Sequence, residues 1–171
     1  MTIKEAAFAL IRTDLDAFKV RGSVARTPTV EWATNVYGPH QIVAFAQSES
    51  EAGLVAAAED LRSRRFISDL DLRRVKVIPG DESLSQLEFS HPHRAVLLIN
   101  VDYEKERERD VCYKLRDIKG VVYARTMWGP ADIVALVEGP DHEALRNLIC
   151  DEIKVANGVK TNITLYCYPS E

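Results

Sequence analysis

The sequence predicts an α+β protein made of two βαββαβ units, with antiparallel sheets packed face to face, within the chain or between chains. The first observation behind this is internal repetition, which has to be settled before anything else is read. Val30–Ala46 (VEWATNVYGPHQIVAFA) and Val121–Val137 (VVYARTMWGPADIVALV) share one pattern. An alternating run ends in an aromatic, then come Gly-Pro, two further residues and Ile-Val-Ala, the signature of a strand, a tight turn and a second strand. The second observation is helical spacing of apolar residues on both sides of each repeat. The third is strand parity, which leaves an apolar second face on each sheet.

The second half gives the clearest order. Ala95–Asp102 reads as a strand and Glu104–Ile118 as a helix, with Val111, Leu115 and Ile118 at helical spacing and acidic residues at its start. Gly120 closes that helix. Val121–Trp128 and Ile133–Val137 are strands joined at Gly129-Pro130-Ala131-Asp132. Asp141 then caps a helix whose apolar stripe is Ala144, Leu145, Leu148, Ile149 and Ile153, and Lys160–Tyr168 is the last strand. The first half repeats this order: strand Ala6–Thr13, helix Asp16–Ala25, strands Val30–Tyr37 and Ile42–Ala46, helix Glu51–Phe66 and strand Arg74–Ile78. The expected domains are residues 1–79 and 95–171, with residues 80–94 as a linker rich in Pro, Gly and Ser. Each is a ferredoxin-like unit with both helices on one face of a four-stranded sheet.

Side chains alternate across a strand. If Leu97, Ile99, Val101, Ile133, Ala135, Val137, Ile163 and Leu165 cover the helices, then Val96, Leu98, Val134, Leu136, Thr164 and Tyr166 form the other face. The first half offers a matching one in Phe8, Leu10, Val43, Phe45, Val75 and Val77. Such faces are too apolar for water and predict an interface.

Composition excludes several classes. A formal charge of -4 disfavours direct nucleic-acid binding, whose affinity rests on clustered cations. The basic residues Arg62, Arg64, Arg65, Arg73 and Arg74 read as a solvated helix end. No stretch has the ~20 apolar residues of a membrane helix, and no secretory signal opens the chain. The three cysteines, Cys112, Cys150 and Cys167, lack zinc or disulfide spacing and read as core fillers in a reducing cytoplasm. His91 and His93 have metal-like spacing but no third ligand nearby in sequence. No phosphate loop, dinucleotide glycine run or nucleophile elbow occurs, and no cofactor or metal is implied.

The strand AVLLINVD, the strand VVYARTMWG, the turn GPADIV, the helix DHEALRNLICDEI and the strand TNITLYCYP together resemble the effector-binding (RAM) domain of the Lrp/AsnC family. The resemblance implies a ferredoxin-like unit that dimerises sheet against sheet. It further implies binding of amino acids or related small molecules near the glycine turn after the second strand. Gly129-Pro130-Ala131-Asp132 matches the family turn, whereas Gly38-Pro39-His40-Gln41 has Gln41 in place of the aspartate. The first predicted strand opens at Ala6, so the resemblance implies a stand-alone tandem form without the family's helix-turn-helix.

The chemistry of the turn is arguable without the family. Glycine lets backbone approach a ligand, and N–H groups at a turn meet a carboxylate. Asp132 would receive an ammonium group, Arg125 would fork a carboxylate, and Trp128 would supply an apolar wall beside Gly129 and Pro130. Tyr37, Gly38 and Gln41 are their counterparts in the first half. The competing reading is a hairpin turn with a capping aspartate and a packing tryptophan.

The sequence therefore predicts a small-molecule sensor, not an enzyme, for an amino acid or related carboxylate. Its partners would be that effector, further copies of the chain as a homo-oligomer, and a DNA-binding paralogue, with no nucleic acid or membrane bound directly. The alternatives are a cofactor-free enzyme of the dimeric α/β-barrel type, with His40 as its acid/base candidate, and a structural partner for a DNA-binding relative.

Overall fold

The computed structural model describes residues 5–76 and 87–169, and the chain divides into two units, residues 1–86 and 87–171. Unit 1 runs β1 (Glu5–Arg12), α1 (Ala17–Ala25), β2 (Val30–Asn35), β3 (Ile42–Ser48), α2 (Glu51–Arg62) and β4 (Asp69–Val75). Unit 2 runs β5 (His93–Val101), α3 (Glu108–Arg116), β6 (Val121–Thr126), β7 (Ile133–Gly139), α4 (His142–Asn147) and β8 (Val159–Tyr166). Its α4 continues into a π-helical turn at Leu148–Ile153. The sheets are antiparallel, in the order β2-β3-β1-β4 and β6-β7-β5-β8. Both are the ferredoxin-like arrangement, in an α+β chain.

Local chemistry sets the helix starts. Asp16, Ser50 and Asp141 each accept a hydrogen bond from a backbone N–H of the first turn, which satisfies donors that a helix leaves open. In unit 1, Ala9, Ile11, Ile42 and Ala44 pack under Val20, Val24, Ala58 and Leu61 of the helices. In unit 2, Leu97, Ile99, Ile133 and Ala135 pack under Val111, Leu115, Leu145 and Ile149. The opposite face of unit 1 carries Phe8, Leu10, Val43, Phe45 and Val75, all buried, with the rings of Phe8 and Phe45 centred 4.8 Å apart. Val77, expected beside them, and Ile78 lie outside the described residues.

Four expectations need correction. β4 begins at Asp69, not Arg74, because pairing with β1 recruits a polar segment that reads as a turn. Helix α3 begins at Glu108, after turns over residues 102–107. The parity expected for β8 is reversed: Leu165 lies opposite Val96 and Ile163 opposite Leu98, away from the helices. Thr164 and Tyr166 take the helix side, where Tyr166 packs on the core and its ring sits 5.5 Å from that of His142. Finally, Cys150 is exposed while Cys112 and Cys167 are buried; on the π-helical turn the inward positions go to Leu148, Ile149 and Ile153.

Among the described residues no helix is long and apolar enough to cross a membrane.

Candidate functional site

The two Gly-Pro turns are built alike, and the likeness identifies what the fourth turn residue does. In unit 2 the Asp132 N–H donates to Ile99 O (2.9 Å), while its Oδ2 accepts from the Val101 N–H (2.8 Å). In unit 1 the Gln41 N–H donates to Ile11 O (3.0 Å), while its Oε1 accepts from the Thr13 N–H (3.0 Å). Each side chain therefore clamps the end of its unit's first strand to the turn. The amide oxygen of Gln41 thus makes the same contact as the carboxylate of Asp132, with glutamine standing where aspartate was expected.

Asp132 has a second bond. Its Oδ1 accepts from the Tyr103 hydroxyl at 2.7 Å, and that hydroxyl lies 3.1 Å from Glu108 Oε2. Burial of the hydroxyl, the bond to Asp132 and the two nearby carboxylates push the Tyr103 pKa well above the usual phenol range. The ring of Tyr103 is exposed, as are Trp128 (61%) and Tyr37 (53%). Gly129 has φ 112°, and nothing stands within 4 Å of where a Cβ would lie. Gly38 has φ 131°, so both turns need the left-handed region that favours glycine.

Arg125 is placed differently from its expected partners. It is 4% exposed, lies opposite Val134 on the sheet face away from the helices, and its guanidinium is 5.7 Å from the centre of the Tyr123 ring. Trp128, Gly129 and Pro130 face solvent, so the structure gives Arg125 and the turn two separate environments. No local pattern in the sequence marks Tyr103 or Glu138. The Glu138 Oε2 accepts from the backbone N–H of Ser90 (2.7 Å) and His91 (2.9 Å), fixing the chain where it enters β5.

A further polar corner lies at the other turn. Arg12 pairs with Asp69 in register, and Leu10 with Asp71. Asp71 holds Arg73 (2.7 Å). His40 sits within reach of these charges: burial first, then Arg12, lower its pKa, against Asp71 and Asp69. The imidazole is thereby biased to its neutral form. Of the basic residues expected at a solvated helix end, Arg74 bridges Glu5 and Glu51, Arg64 joins Asp60 and Arg73 joins Asp71, while Arg62 and Arg65 are exposed. Among the described residues no three of His, Cys, Asp and Glu gather as a metal site.

No family model matches the chain, and no curated protein does. Solved structures do. The siroheme decarboxylase NirDL aligns over 97% of this chain and 75% of its own, with TM-score 0.66 and 13% identity. The putative chlorite dismutase TA0507 aligns over 100% and 96%, with TM-score 0.59 and 13% identity. AsnC of E. coli aligns over 71% and 74%, with TM-score 0.43 and 14% identity, so structures of the Lrp/AsnC kind are among the neighbours. At these identities the likeness is one of fold. It corrects one expectation: the fold does not mark the chain as a non-enzyme, because the siroheme decarboxylase NirDL shares it over 97% of this chain.

Proposed function

We propose that the chain is a small-molecule enzyme of the cofactor-free kind, with His40 as the proton acceptor in the polar corner of unit 1. The observation that carries this is the gathering of Arg12, Asp69, Asp71 and Arg73 at the turn that bears His40, where burial and Arg12 also bias the imidazole to its neutral form. A neutral imidazole near pH 7 is competent as a general base, and the exposed Arg12 supplies a fork for an anionic substrate. The fold likeness to NirDL, a siroheme decarboxylase also seen with an iron-uroporphyrin III analogue, makes carboxylated tetrapyrroles a first substrate class to offer, beside amino acids and aromatic acids. A ligand that binds only the folded state raises the melting temperature. The expected hit is an anion whose stabilisation is lost in Arg12→Ala. Its turnover, followed by mass spectrometry, should fall at least ~100-fold in His40→Asn. A hit indifferent to both changes overturns the reading.

A second reading is favoured by the exposed Trp128 beside the open space at Gly129. Here an amino acid or related carboxylate binds at the turn of unit 2 and acts through contacts with other copies or a DNA-binding paralogue. It predicts amino-acid binding weakened by Trp128→Ala and unchanged by Arg12→Ala.

A further inference from the structure

We propose that β8 is a docking edge for a second copy of this chain, through antiparallel pairing of β8 with its own counterpart about Ile163. The direction of its free backbone groups follows from the register. The Cys167 N–H donates to Arg94 O at 2.9 Å, and pairing with β5 then runs unbroken from Ala95–Tyr166 to Asn100–Thr161. Bonding alternates along an antiparallel pair, so Thr161, Ile163 and Leu165 turn their N–H and C=O toward β5. Asn162, Thr164 and Tyr166 turn theirs outward. Among the described residues β8 has a neighbouring strand on one side only.

The other sheet edges carry features that discourage pairing. β4 presents Asp69, Asp71, Arg73 and Arg74, with Arg73 and Arg74 in ion pairs. β2 and β6 are shorter, and their registers break between Val30 and Trp32 and between Val121 and Tyr123. Charges and bulges of this kind are the usual protection of an edge. β8 has a register break only at its start, beside Val159, and one charged residue, Lys160. Midway along it Ile163, a β-branched residue on the sheet face away from the helices, is 60% exposed.

A twofold axis through Ile163 satisfies these features together. Asn162 of each chain lies opposite Thr164 of the other, with about four new N–H···O=C bonds from these two pairs. Thr161 meets Leu165, Lys160 meets the phenol of Tyr166, and no like charges are opposed. Ile163 faces Ile163 in a non-hydrogen-bonded pair, where side chains come closest, so the exposed isoleucine is covered by its own copy. Such an interface is isologous and closes at two chains.

Sedimentation of the full chain across a concentration series tests this. The expected result is a reversible dimer that Ile163→Lys converts to monomer by opposing two cations, with circular dichroism unchanged. Should Ile163→Lys fail to fold, Ile163→Cys in a Cys150→Ser background decides. A cysteine on the axis has a Cα separation of about 4.5 Å, within disulfide range, so mild oxidation should give a covalent dimer absent from Cys150→Ser alone. A wild-type chain monomeric at every concentration, a dimer that survives Ile163→Lys, or no cross-link through Cys at 163 would overturn the proposal.

Discussion

Thr29 shows how far one residue can depart from its repeat partner. It holds φ 76° ahead of β2 and its C=O accepts from Gln47 N (2.9 Å), while in unit 2 Gly120, with φ 98°, accepts from Glu138 N (2.8 Å). Glycine is required at the second site, since a Cβ would stand 2.7 Å from Leu148 Cδ2 and 3.0 Å from Glu138 O. Thr29 bears the same backbone with a β-branched side chain, at a cost of about 1–2 kcal/mol. Its Oγ1 is also buried without a hydrogen-bond partner among the described residues. Against this, glycine raises the entropy of the unfolded chain by roughly 0.5–1 kcal/mol. Thr29→Gly should therefore stabilise the protein by about 1 kcal/mol, read as a higher denaturant midpoint with unchanged slope; a lower midpoint would show that the hydroxyl or methyl is needed. The two clamps give a second residue-scale test. Asp132→Ala removes the acceptor of the Val101 N–H and should cost about 1–3 kcal/mol. Asp132→Asn should cost much less, because the amide oxygen of Gln41 already does this work in unit 1.

At the scale of elements, Arg64 fastens the loop after α2 to α1. Its Nη1 donates to Ser23 O (3.1 Å) and Oγ (3.2 Å), and its Nη2 to Thr27 Oγ1 (2.9 Å) and Asp60 Oδ2 (2.6 Å). A planar fork is needed to reach these groups together. Arg64→Ala should lose about 1.5–3 kcal/mol, Arg64→Lys should recover only part, and hydrogen exchange should rise first at the end of α1. The order of elements was legible because alternation and helical spacing are local, and the repeat supplied each of them twice. Asp69–Arg73 was not legible as strand: DLDLR has the composition of a turn, and only pairing with β1, which lies far back in the chain with Arg12 opposite Asp69 and Phe8 opposite Arg73, makes it extended. For the same reason the corner around His40 was hidden. Arg12, His40 and Asp71 come from three separate segments, and no local pattern joins them. The turn residues were legible individually, yet their roles were not, since the sequence does not say that Asp132 points at the Val101 N–H or that Tyr103 reaches back to it. The parity of β8 failed because both of its faces carry apolar side chains, so register against β5 decided and hydrophobicity did not.

Across the whole molecule, shifted groups set a window of maximal stability. His40 has its pKa lowered from an ordinary 6.5 by burial and Arg12. The unfolded chain takes up this proton near 6.5 while the folded chain resists, so below that pH the unfolded state binds more protons and stability is lost. Glu106 adds to the acid limb further down: bonds from Lys114 and Asn157 lower its pKa from 4.5, so its contribution is present above that pH and lost below it. On the alkaline side Tyr103 and Tyr166 are both raised from 10.0. The unfolded phenols ionise near 10 while the folded ones keep their protons, so stability declines as pH rises past that point. The expected profile is a plateau between about pH 6.5 and 10, mapped by denaturant unfolding at each pH. His40→Asn should flatten the slope just below 6.5 and leave the alkaline limb alone, and Tyr103→Phe should do the reverse. An acid limb with the same onset in His40→Asn would mean that the imidazole is not held neutral by its surroundings, and with that the proton-acceptor role of His40 would lose its physical basis.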